Sequence, residues 1–162
     1  MSNDSSEIKI YKTKSGQLAA KTPYHPDLPS KFRALGGQWH GNSGVWVFDL
    51  RDEARVRAVV EEVFGSLEKS GRLVTLRYKV TNGSGDPLRL AGRVIAERRS
   101  RDSAVSLAHS VVVVEGEFPS SGGSRNNPRI GLRYGDAVIV EIRDVDANVA
   151  ARMVEEGAEI VE

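Results

Sequence analysis

The chain has 162 residues, 28% of them charged and 40% hydrophobic, with a net charge of +1. That length suits one ordinary domain or two small ones, with a core that needs no covalent staples. The absence of cysteine excludes disulfides, thiolate metal sites and cysteine nucleophiles, and it fits a reducing, cytoplasmic setting. The opening MSNDSSE lacks the basic start and apolar stretch of a secretion signal. The longest apolar run, residues 111–114, is too short to span a bilayer, so no membrane association is expected.

In chain order, residues 1–7 read as a disordered tail. Residues 8–13 and 17–22 read as strands joined by Lys14-Ser15-Gly16, where glycine suits a short hairpin turn. Pro23 breaks the second strand. Asp27 is expected to cap a helix that tolerates Pro29 in its first turn and carries Leu28, Phe32 and Leu35 as one apolar stripe. Gly36-Gly37 ends it. Residues 38–40 and 45–50 form a second hairpin around Gly41-Asn42-Ser43-Gly44. Asp52 is expected to cap a second helix with Val56, Val59, Val60, Val63 and Phe64 at helical spacing, closed by Gly65. The first module is therefore ββαββα over residues 8–65, followed by a polar linker at 66–71.

Residues 72–162 read as a β-rich module, a small barrel or curved sheet with a C-terminal helix. Residues 73–80 alternate as a strand should. A turn at 82–87 leads to a strand over 88–98, with Gly92 at a bulge. Residues 111–118 read as a strand buried on both faces, 119–128 as a polar loop, and 130–133 and 137–143 as further strands. Asp146 is expected to cap the last helix, with Gly157 as its stop. The fold class is α+β.

Charge is unevenly spread. Residues 71–134 carry 11 basic and 5 acidic groups, net +6, and residues 135–162 carry 2 and 8, net −6. Two explanations stand side by side: neutralisation across packed strands, or an anion-binding face beside a solubilising end. The basic residues of the middle segment are arginines but for one lysine, which suits planar contacts to phosphate.

Three histidines, His25, His40 and His109, lack the spacing of a metal site. No metal ligands, cofactor or catalytic residues are assigned. Asp86, Asp102, Asp136 and Asp144 sit at turns or strand ends, where carboxylates usually cap; a metal-dependent nuclease or hydrolase requires several to converge. Residues 120–128 combine glycine, serine and Arg125, the composition of an anion-binding nest. The arginines Arg93, Arg98, Arg99 and Arg101 form a positive knob that can contact phosphate, joined by Arg125, Asn126 and Arg129. In the first module Tyr24, His25, Trp39 and His40 lie among Lys12, Lys14, Lys21, Lys31 and Arg33. Rings among cations are what single strands need, because bases stack while cations track phosphates. Trp46 and Phe48 share a strand face and are expected in the core; Trp39, beside polar neighbours, is the expected contact residue.

The run Thr22-Pro23-Tyr24-His25-Pro26-Asp27-Leu28, with Phe32, the glycine turn and Val45-Trp46-Val47-Phe48, resembles the HARP domain of annealing helicases over roughly residues 18–64. In that family the module accompanies a helicase motor and helps it engage forked or single-stranded DNA. The resemblance implies that Tyr24, Leu28, Phe32, Trp46 and Phe48 are framework. The chain carries no helicase motor, and Gly36-Gly37-Gln38-Trp39 departs from the family pattern. The expected function is a non-catalytic DNA-binding accessory protein favouring single-stranded or forked DNA, with a helicase or nuclease as a candidate protein partner. The alternatives are a protein-interaction module docking through a sheet edge or the acidic end, and a small metal-dependent nuclease or hydrolase.

Overall fold

A computed structural model describes residues 7–161. The tail expected at residues 1–7 lies, apart from Glu7, outside the described residues. Among the described residues three helices and eleven strands form three antiparallel sheets, an α+β fold. The chain divides into two compact units, Met1–Leu67 and Glu68–Glu162, and the division falls inside the 66–71 linker.

Unit 1 contains β1 (Lys9–Lys12), β2 (Leu18–Lys21), α1 (Leu28–Ala34), β3 (Gln38–His40), β4 (Val45–Phe48), a 3-10 turn (Leu50–Asp52) and α2 (Glu53–Phe64), the ββαββα order expected. Its sheet runs β1-β2-β4-β3. Directly opposed residues share a face. The register Ile10↔Ala20, Leu18↔Phe48, Ala20↔Trp46 and Trp39↔Trp46 therefore gathers these side chains on one side. There Leu18, Ala20, Trp46 and Phe48 pack with Leu28 and Phe32 of α1 and with Val56, Val60, Val63 and Phe64 of α2. Phe32 is the centre of this core, edge-on to Trp46 at 5.5 Å and to Phe48 at 5.1 Å. Each large side chain so buried contributes roughly 1.5–3 kcal/mol. Gly37 is needed for approach: a Cβ there would stand 2.5 Å from the Phe48 ring and 2.8 Å from the Phe32 carbonyl. The capping expectation changes in detail. Asp49, not Asp52, uses its carboxylate, accepting from Arg51 N at 3.1 Å, because the 3-10 turn starts the helical segment early. Neither Asp27 nor Asp52 makes a side-chain cap bond.

Unit 2 contains β5 (Leu73–Val80), β6 (Leu88–Leu90), β7 (Arg93–Glu97), β8 (Ser106–Leu107), β9 (Val111–Glu115), β10 (Val138–Asp146), α3 (Ala147–Glu155) and β11 (Glu159–Ile160). Two sheets, β11-β5-β10-β9 and β6-β7-β8, enclose a core that includes Leu76, Leu88, Leu90, Val138, Val140 and Met153. The cap of α3 is as expected, with Asp146 accepting from Asn148 N at 2.9 Å.

Three expectations are corrected. The strand expected over 88–98 is a hairpin: Ala91 and Gly92 have φ of +49° and +72°, the pair of left-handed residues a two-residue turn requires. Leu90 then lies opposite Arg93, and the face assignment for Arg89 and Arg93 on one continuous strand lapses. The strand expected at 130–133 is irregular chain; Ile130 N is instead held by the Asp86 carboxylate at 2.7 Å. The run at 111–114 is not buried on both faces, because β9 is an edge strand and Val113 and Val114 are exposed. The short strands β8 and β11 were not anticipated; two residues are too few to show periodicity.

Candidate functional site

In unit 1 the expected contact residues separate into three groups. Trp39 sits on the edge strand β3 and is 55% exposed. Its ring lies 5.6 Å from that of buried Trp46, tilted at 53°. On Trp46 also sits the Arg33 guanidinium, 5.6 Å from the ring centroid, a cation–π contact. The edge of the core is thus a stepped platform: a buried indole, an exposed indole beside it, and a cation on the helix above. Tyr24, 72% exposed, presents a second ring from the loop before α1.

His25 and Lys31 are engaged within the fold. His25 Nδ1 accepts from Asp27 N at 3.1 Å, and its ring meets Phe64 edge-on at 6.1 Å. It therefore shapes the entry into α1, which corrects its reading as a contact residue. Lys31 Nζ pairs with Glu62 at 2.9 Å, tying α1 to α2. Lys12, Lys14, Lys21 and His40 are exposed. Lys12 lies on the helix-side face of β1 and Lys14 in the β1–β2 turn. Lys21 and His40 lie on the other face of the sheet, away from Trp39.

In unit 2 the arginine knob has a buried centre. Arg98 is 5% exposed and donates to four carbonyls: Nε to Arg129 at 2.5 Å, Nη1 to Ser103 at 2.5 Å, and Nη2 to Pro119 at 2.7 Å and Ile130 at 2.8 Å. Arg98 is therefore a structural hub and not a phosphate contact. A burial-tolerant, always-charged fork with five donors is what four converging carbonyls select. Arg93 is half-buried and donates to the Ala91 carbonyl at 2.8 Å. Burial holds its guanidinium below the usual arginine range.

Around this hub the exposed arginines are brought together by the backbone. Gly122 N donates to the Arg101 carbonyl at 3.0 Å, and Arg129 N donates to Gly122 O at 3.1 Å. A Cβ on Gly122 would collide with the Arg129 carbonyl and press on Arg98 Nε. Arg125 and Asn126 form the tip of a small hairpin closed by Ser124 N to Asn127 O at 3.0 Å and Asn127 N to Ser124 O at 3.2 Å. Four N–H groups the anion-nest expectation could draw on are already occupied: those of Ser124, Asn127 and Arg129 by carbonyls of the loop and that of Gly122 by the Arg101 carbonyl. The charge the loop offers is carried by side chains. Arg99 pairs with Glu97 at 3.5 Å and Arg101 with Asp102 at 3.1 Å, both exposed pairs; the Asp102 hydrogen bond raises the Arg101 pKa. Arg125 and Arg129 are exposed and make no ion pair with a carboxylate among the described residues.

The four aspartates considered for a metal are engaged locally or stand apart. Asp86 holds Ile130 N, Asp102 pairs with Arg101, Asp136 accepts from Arg133 N at 3.1 Å, and Asp144 is exposed with φ of +58°. No group of three or more His, Asp or Glu that could hold a metal is present among the described residues. Nor, among them, is any helix long and apolar enough to cross a membrane.

Three exposed residues escaped the sequence reading. Lys9 and Tyr11 share the helix-free face of β1, and the strand alternation Lys9-Ile10-Tyr11 could have shown it. Tyr134, 94% exposed, crowns a turn held by Asp136 N to Arg133 O at 3.0 Å, and Arg-Tyr-Gly-Asp is a turn composition. No protein-family model, curated protein or solved structure matches the chain.

Proposed function

We propose that the protein binds DNA without cutting it, favouring single-stranded or forked forms, as an accessory to other DNA-processing proteins. The observation that carries this reading is Trp39. More than half exposed on an edge strand, it lies 5.6 Å from Trp46, the ring that also carries the Arg33 guanidinium. A ring beside a buried one loses little freedom when a base stacks on its open side, and such a stack is worth about 1–3 kcal/mol. The neighbouring cation suits the phosphate that follows the base. Unit 2 adds Arg99, Arg101, Arg125 and Arg129 as phosphate contacts that tolerate any sequence.

The test is titration of labelled single-stranded, duplex and forked DNA at two salt concentrations, with Trp39→Ala beside the parent protein. The expected result is preference for unpaired strands, loss of affinity as salt rises and weakening by the substitution. Absence of binding to all three at low salt refutes the reading. One observation favours a protein-interaction role instead: β9 is an edge strand with exposed Val113 and Val114, a template for strand addition. A stoichiometric protein partner recovered without DNA binding selects that role.

A further inference from the structure

The helix-free face of the unit 1 sheet carries an arrangement that the Trp39 platform does not use. The register sets Lys9 directly opposite Lys21. Opposed side chains of an antiparallel pair have Cβ atoms about 4.5–5.5 Å apart, and like charges there are destabilising. Lys9 reaches Glu7 at 3.5 Å, with both side chains more than half exposed, so solvent weakens that pairing. Lys21 makes no ion pair among the described residues.

One row along, Tyr11 lies opposite Ala19, Ala19 opposite Val47, and Val47 opposite Gln38. Tyr11 is 45% exposed. Ala19 and Val45 are buried yet belong to neither apolar core. They are the small floor of this face, between Tyr11 and the lysines on one side and the exposed Gln38 and His40 on the other. The rows of Tyr11 and of the lysines are two residues apart, about 7 Å along the strands, a span that one extended nucleotide covers.

We propose that this face is a second binding surface, for single-stranded nucleic acid, with a phosphate held between Lys9 and Lys21 and the adjoining base on Tyr11. An anion between the two lysines turns their mutual repulsion into shared attraction, and the half-exposed ring one row away supplies what an unpaired base needs. A duplex keeps its bases stacked on each other and offers nothing to Tyr11. The inference rests on the proposed DNA-binding function and deepens it, because it gives unit 1 a strand path distinct from the Trp39 edge.

The experiment is a titration of labelled oligothymidylate against the full chain over a salt series, with K9Q/K21Q, Y11A and W39A compared. Removing the one phosphate contact that the two lysines share should flatten the slope of log affinity against log salt by about 0.7, the contribution of one phosphate on a single strand. Y11A should weaken binding about tenfold at fixed salt, within the range of a base–aromatic stack. K9Q/K21Q should unfold in urea no earlier than the parent chain, because it relieves a like-charge pair. If W39A weakens binding while K9Q/K21Q keeps the parent slope, this face is not a phosphate surface, although the proposed function stands. If the parent chain binds no oligothymidylate at low salt, both fail together. A slope change matched on duplex DNA with no loss in Y11A also overturns the proposal.

Discussion

Replacing Arg98 by methionine tests whether a buried guanidinium organises unit 2. Methionine keeps much of the stem's volume and removes all five donors. Four carbonyls, of Ser103, Pro119, Arg129 and Ile130, then lose their bonds. A buried acceptor left without a donor costs about 1–3 kcal/mol. The low end for each of four carbonyls gives a loss on the order of 4 kcal/mol, a large share of the roughly 5–15 kcal/mol that holds a domain together. With a urea slope of about 2 kcal/mol/M, the unfolding midpoint should fall by about 2 M. The choice of probe matters. Both tryptophans, Trp39 and Trp46, lie in unit 1, so tryptophan fluorescence reports the wrong half. Far-ultraviolet circular dichroism sums both units and is read against tryptophan fluorescence for unit 1, while hydrogen exchange at Gly122, Arg129 and Ile130 follows unit 2 directly. Arg98→Lys should recover less than half the loss, since one ammonium cannot span four carbonyls. A dichroism midpoint that moves by less than about 0.5 M in Arg98→Met refutes the argument, because it means that water replaces the guanidinium at little cost.

The remaining predictions concern unit 1 and pH. Trp46→Ala should cost about 3–5 kcal/mol, as emptying an aromatic core site does, whereas Trp39→Ala should cost under about 1 kcal/mol and act on DNA affinity; urea melts beside titrations separate the two, and the reverse pattern contradicts the division of roles. Lys21→Gln should raise the stability of the free protein by about 0.2–1 kcal/mol, the size of an opposed like-charge pair, while weakening oligonucleotide binding, and a fall in both excludes repulsion as the cause. The Glu141 carboxyl is held below the usual range, first by the Arg143 hydrogen bond and then by that of Arg77. Its contribution is thus complete above the unfolded glutamate pKa of about 4.3 and is lost as pH falls through the lower folded value. Glu141→Gln should therefore be less stable than the parent chain at neutral pH and show a flatter acid limb in urea midpoints measured by circular dichroism; parallel limbs in the two proteins contradict it.

Unit 1 was legible because its signals are local. Gly16 and Gly44 stand at hairpin turns, Leu28 and Phe32 mark the buried stripe of α1, and the strand pattern of Val45 to Phe48 separates Trp46 from Val47. Even the division between Trp46 and Trp39 could be read from the polar neighbours of Trp39. Unit 2 was less legible because its determinants are distant in sequence. Gly92 marks an irregularity, but alanine is not a turn former, so Ala91 does not announce itself as the other left-handed residue of a hairpin turn. Arg98 belongs by composition to a solvated Arg-Arg-Ser-Arg stretch. Its burial depends on carbonyls supplied by residues 103, 119, 129 and 130. The apolar run at Val111–Glu115 carries no mark of its edge position, which is decided by which strand pairs with β10.

The uneven charge of the second half left two explanations open, and the contacts divide the charge between them. Arg77 lies opposite Glu141 in the β5–β10 register and bonds it at 3.2 Å, with Arg143 on the same carboxylate at 2.8 Å. Glu156 turns its carboxylate to Ala91 N at 2.6 Å, and Asp146 serves Asn148 N and Ser70. Of these three acids only Glu141 is neutralised by arginines, one of them Arg77 of the basic segment, whereas Glu156 and Asp146 are held by backbone N–H groups. None of these contacts reaches Arg99, Arg101, Arg125 or Arg129. Two of those four rely on adjacent, exposed carboxylates, Glu97 and Asp102, pairs that contribute little when both partners are solvated and can exchange a carboxylate for a phosphate. Glu141 thus neutralises charge on the β5–β10 framework and leaves the arginines of the loop cluster untouched. Arg98, once the centre of the expected contact set, fixes the place of that charge without presenting any of its own. If this division holds, Arg125→Gln with Arg129→Gln should reduce the salt dependence of DNA binding without lowering the urea midpoint of unit 2, whereas Arg98→Met should lower the midpoint first.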